Sequence, residues 1–113
     1  MTNKINHLSS ALNLLENTLG QELIKKEVHK IDGWNPEGAP NLHPLVLLWY
    51  KCREDLALGE LTGSLPISGW VQETLELGNL LENLSSNPNY TQILQDLRNI
   101  STWEQTIQSL KQK

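Results

Sequence analysis

The sequence predicts an all-α fold, a compact bundle of four to five helices with a central apolar helix over about 44–58. Three observations carry that reading. First, the run Pro44-Leu-Val-Leu-Leu-Trp-Tyr-Lys-Cys-Arg-Glu-Asp-Leu-Ala-Leu58 is apolar on nearly every face in its first half, and a helix with no wet side belongs inside. Second, leucine supplies 22 of 113 residues against seven isoleucines and three valines. Leucine keeps most of its rotamer freedom in a helix, and β-branched residues do not. Third, apolar residues recur at intervals of three and four, and nothing alternates with period two for long enough to make a strand. A chain of this length buries roughly two-thirds of its unfolded surface, enough for one domain over 1–113 without disulfide or metal.

Taken in order, Ile5, Leu8, Leu12, Leu15 and Leu19 form a heptad seam, and Leu23, Ile24, Val28 and Ile31 continue it on a rotated stripe. One helix over about 3–30 is expected, with Gly20 marking a bend or a close helix crossing. So short a seam reads as one wall of a bundle, because coiled coils sustain three or more heptads. Residues 32–43 hold two Pro and two Gly and form the one long irregular segment. Pro44 suits a first helical position, Leu45, Leu48, Trp49, Cys52 and Leu56 supply the inner stripe, and Gly59 with the Thr62-Gly63-Ser64-Leu65-Pro66 run ends the helix. Ser68 is the expected cap of a helix over 69–84 that buries Trp70, Leu77, Leu80, Leu81 and Leu84. Asn87-Pro88 opens a helix burying Tyr90, Ile93, Leu94, Leu97 and Ile100. Ser101 and Glu104 match a capping box ahead of a last helix with Trp103, Ile107 and Leu110 inside.

Trp34, Trp70 and Trp103 recur at 36 and 33 residues, near the period of tetratricopeptide arrays. The expected Leu-Gly spacing and the small residues at helix crossings are absent, and three alanines in the chain cannot supply them. No repeat is assigned.

Charge divides the chain. Residues 54–110 carry eight acidic side chains against Arg98 alone, whereas residues 1–53 carry six basic and five acidic groups. An acidic C-terminal half repels phosphate and suits a basic partner. The single cysteine forms no internal disulfide, no apolar run approaches the length of a membrane span, and the start is polar. A soluble, cytoplasmic protein with no membrane association follows as an expectation. The Asn-x-Ser/Thr strings at Asn83, Asn89 and Asn99 are then chance matches.

Catalytic chemistry finds little footing. His29, Asp32, Glu37 and His43 are the one grouping of metal-ligand types, yet nothing in their spacing forces them together, and no CxxC or HExxH occurs. Cys52 sits on the apolar stripe, where a small buried hydrophobe is expected in place of a nucleophile for His43 to activate. Glu54 and Asp55 face apart on a helix, and neither Arg53 nor Arg98 is followed by a histidine at nuclease spacing. The expectation is no enzyme, no cofactor and no metal.

What remains is interaction. Trp34 lies in the Pro/Gly segment, and Leu14, Leu47, Leu58, Leu61, Leu65 and Leu75 are surplus to the core stripes. Exposed aromatics anchor interfaces, and surplus apolar surface marks association. The sequence therefore predicts a non-enzymatic protein-interaction module, an adaptor or small subunit of a larger assembly. Its proposed surface is Trp34, Asn35 and Glu37 with Glu73 and Glu76, facing a partner with a basic surface; the leucine surplus also allows a homo-oligomer. The alternative is a helical subunit of a nucleoprotein complex that contacts RNA or DNA through Lys25, Lys26 and Lys30, with Trp34 or Trp49 as a stacking platform. Interleaved Glu22 and Glu27, and the preference of a helix C-terminus for cations, weigh against it.

Overall fold

A computed structural model describes residues 2–32, 42–65 and 69–112, with side chains described for 5–29, 42–65 and 69–112. The described residues form six α-helices and one short 3-10 turn, with no strand among them. The helices are α1 (Thr2–Leu19), α2 (Gln21–Asp32), α3 (Pro44–Thr62), α4 (Gly69–Leu81), α5 (Tyr90–Arg98) and α6 (Trp103–Lys111); the 3-10 turn is Leu84–Ser86. α1 packs against α2, α3, α4 and α5, and α3 lies between α1, α2 and α4.

The heptad seam does what its spacing demands. Leu8, Leu12, Leu15 and Leu19 are all buried, and with Leu45, Val46, Leu48, Trp49 and Cys52 of α3 they form the centre of the core. α3 is deeply buried in its first half and emerges into solvent in its second. Of the two expected stop signals, Gly59 is buried within the helix, which runs one turn further, and Gly63, at φ +79°, terminates it. Leu65 folds back over Gly59, where a Cβ would stand 2.5 Å from the leucine Cδ2.

The single first helix of the sequence reading is two. Gly20 adopts φ +86°, a left-handed conformation that ends α1 after Leu19. Arg98 of α5 donates from Nε to the Thr18 carbonyl at 2.9 Å, satisfying a group the helix end leaves open and placing a cation at its negative pole. The shift of the apolar stripe after Leu19 is the sequence trace of this break.

α4 is rotated from its expected setting. Its buried face is Val71, Thr74, Leu77, Gly78 and Leu81, while Trp70 is 40 % exposed. The cause is a close crossing with α1: a Cβ on Gly78 would lie 2.7 Å from the Ala11 Cβ. A small residue on each helix brings the backbones together, so Gly78 faces α1 and Trp70 swings outward. Gly78 and Ala11 thus supply a close helix crossing in a chain with three alanines.

The later boundaries also move. α4 stops at Leu81, and the Asn/Ser-rich stretch tightens into the 3-10 turn, where Ser86 Oγ donates to the Asn83 carbonyl at 2.8 Å. Leu84 stays buried there. Asn87 accepts from the Asn89 N–H at 2.8 Å in a side-chain turn that precedes α5, and Tyr90 and Ile100 at its flanks are exposed. The capping box does not form. Ser101 instead donates its N–H to Asn99 Oδ1, and Thr102 Oγ1 donates to the Asp96 carbonyl at 2.7 Å. The expected cap Ser68 lies outside the described residues.

Candidate partner-binding surfaces

His43 shows how the sequence positions one end of the bundle. It is 1 % exposed and caps α3: its Nδ1 accepts the Leu45 N–H at 3.2 Å, and its Nε2 lies 2.9 Å from the Leu97 carbonyl. A carbonyl only accepts, so Nε2 carries the proton and the ring is neutral. Burial lowers its pKa below 6.5, outweighing the hydrogen bond to Leu97 and the charge of Glu27, which act the other way. The Trp103 ring packs 6.1 Å away. His43 therefore ties α3 to the end of α5 and uses both nitrogens doing so. Of the other residues weighed as metal ligands, His29 is exposed on α2, while the Asp32 side chain and Glu37 lie outside the described residues. No group of three or more His, Cys, Asp or Glu side chains is placed to share a metal among the described residues.

Cys52 is fully buried. Its thiol donates to the Trp70 carbonyl at 3.0 Å and stands 2.8 Å from Thr74 Oγ1. Burial pushes the thiol pKa up, against the thiolate a nucleophile requires. The contact joins α3 to α4 and explains the buried Thr74, which a purely apolar reading of the stripe passes over.

Two open surfaces remain along α3. In the first, α4 and α6 meet α3 in a small cleft of about 40 Å³. Its floor is Leu45, Leu48, Leu77, Leu80, Trp103 and Ile107, and Glu73, Glu76 and Lys111 line its mouth. Glu73 and Glu76, three apart on α4, are both exposed and share that mouth. The sequence reading selected this acidic pair; Trp103 it placed in the core, and only the fold brings that side chain to the same cleft. Trp34, Asn35 and Glu37, the other part of the expected surface, lie outside the described residues.

The second surface is an open groove of about 450 Å³ between α2 and α3. Ile24, Val28, Trp49, Tyr50 and Ala57 supply its apolar walls, with Lys25, Arg53 and Glu54 at the lips. The Arg53 guanidinium lies over the Trp49 ring, 5.0 Å from its centre. Trp49 is only 6 % exposed, so it is no stacking platform for a base; the expectation that gave it that role fails because the ring is core on one side and covered by Arg53 on the other. Lys25 and Lys26 are exposed on α2, and the Lys30 side chain lies outside the described residues. Arg53 was legible as the residue one turn after Trp49, but its meeting with Lys25 across the groove required the fold.

Exposed apolar side chains occur as the leucine surplus suggested. Leu58 is 48 % and Leu61 85 % exposed on the emerging half of α3, whereas Leu14, Leu47, Leu65 and Leu75 are half-buried against the core. No helix among the described residues is long and apolar enough to cross a membrane. No family model, curated protein or solved structure matches the chain.

Proposed function

We propose that this chain is a non-enzymatic protein-interaction module, an adaptor or small subunit of a larger assembly in the cytoplasm, that receives a basic segment of a partner protein. One observation carries the reading: Glu73 and Glu76 stand together at the mouth of a cleft floored by Leu77, Leu80 and Trp103. A Lys or Arg head group suits the two carboxylates, which share the mouth with the chain's own Lys111, and the aliphatic stem lies over the small apolar cleft. The non-enzymatic half is supported by the engagement of His43 at both nitrogens and by the buried thiol of Cys52.

The test is affinity capture from native cells with the wild-type chain and with Glu73→Lys/Glu76→Lys, each with and without nuclease. A stoichiometric protein that survives nuclease and is lost on charge reversal is the expected result. Equal capture by both chains removes the cleft from the reading.

The nucleoprotein alternative is favoured by one observation, the convergence of Lys25 and Arg53 on one groove. Phosphate contacts lower log affinity by about 0.9 per contact for each decade of salt on duplex DNA, so a salt titration separates the two readings.

A further inference from the structure

We propose that the α2–α3 groove is a second docking surface, separate from the acidic cleft, that takes an acidic amphipathic segment of a partner protein. Shape is the first argument. At about 450 Å³ the groove falls within the ~300–1,000 Å³ common for binding clefts, and it is open along one side. Its α3 wall presents Arg53 and Ala57 one turn apart, with Trp49 buried beneath Arg53, and its α2 wall presents Val28, one turn on from the buried Ile24. That repeat matches the i, i+3, i+4 and i+7 apolar side chains of an incoming amphipathic helix.

Charge names the partner. Lys25 and Arg53 stand at the lips from opposite walls, against Glu54 alone. The stack on Trp49 holds Arg53 in place before any partner arrives, so less side-chain freedom is lost when its N–H groups meet a carboxylate. An incoming segment with apolar side chains along one face and carboxylates beside them satisfies both features. Nucleic acid fits less well: the walls are apolar, and Arg53 covers the outer side of the Trp49 ring, leaving no face on which a base could stack. This surface is opposite in sign to the Glu73–Glu76 cleft and does not depend on it. Together they make the chain a bridge between an acidic and a basic partner.

The test is selection from a library of random displayed peptides on the intact chain. The expected winners are net acidic, carry apolar residues at intervals of three and four, and gain helicity on binding. Their affinity falls by about tenfold or more in Ala57→Trp, which fills the groove, and in Lys25→Glu/Arg53→Glu, which reverses its lips. It is unchanged in Glu73→Lys/Glu76→Lys, so failure here is distinct from failure of the cleft. Circular dichroism and melting of each variant establish folding, and the lip variant, altering exposed side chains alone, stands if the filled groove fails to fold. The proposal is overturned by an absence of winners, by basic winners, by binding that survives both groove variants, or by winners displaced by single-stranded oligonucleotide. Groove variants that only convert a dimer to a monomer overturn it equally, in favour of a second copy of this chain.

Discussion

His43 is the residue whose chemistry reaches furthest from its own position. Protonation of Nδ1 removes the acceptor of the Leu45 N–H and charges a ring held out of water. The folded state therefore resists protonation more than the unfolded chain does, and its pKa lies below 6.5. Above 6.5 both states are neutral and the contribution is whole. As pH falls below 6.5 the unfolded chain takes up the proton first, and stability declines toward the folded-state value. Urea midpoints taken across this range should fall with acidity, and His43→Gln should flatten the slope while costing about 1–3 kcal/mol above it. A second residue-scale prediction concerns Gly20. Arg98 is in ordinary contact range of an added Cβ, so Gly20→Ala loses about 1–2 kcal/mol through the left-handed backbone alone. Little of this was legible beforehand. His43 read as a loop residue because its hydrogen-bond partner, Leu97, is 54 positions away.

At the scale of the element, the crossing of α1 on α4 is the joint that sets the bundle. Gly78→Ala forces the Cβ of Ala11 aside and should cost about 1–3 kcal/mol. Ala11→Gly in the same chain removes one of the two clashing atoms and should return part of that loss. A double-mutant cycle by chemical denaturation measures the coupling, and additive losses would show that the helices do not meet through these two positions. Where helices form was well predicted, since Leu8, Leu12, Leu15 and Leu19 or Leu45, Leu48, Trp49 and Cys52 announce their inner faces by spacing alone. How each helix is turned was less so. Trp70 was assigned inward on size and apolarity, yet a glycine with no side chain decides which way α4 faces. Spacing reports a stripe; it does not report how close two backbones come.

For the whole molecule, Cys52 offers a gauge of cooperative opening. It is buried between α3 and α4 with its thiol engaged by the Trp70 carbonyl and the Thr74 hydroxyl of α4, so its reagent labelling should be slow in buffer and accelerate with the main unfolding transition. Rapid labelling under native conditions would mean that α4 lifts independently. Leu61, by contrast, is 85 % exposed, and Leu61→Lys should change the unfolding free energy by no more than ~0.5 kcal/mol, as expected for open surface and read by chemical denaturation. The charge division of the sequence has its counterpart in two surfaces of opposite sign, of which only the acidic one was assigned to a protein partner before the fold was known. The groove was hidden because Lys25 and Arg53 belong to different helices and are read together only once α2 packs against α3. The position of α1 has a consequence for synthesis. It leaves the ribosome before α4, against which it packs most extensively and which follows ~50 residues later. At ~5–20 residues per second the leucine seam waits several seconds for its α4 wall, with only α2 and α3 to close on before then. During that interval the seam is a natural client for a chaperone, and the nascent chain is most exposed to aggregation before its own C-terminal half exists.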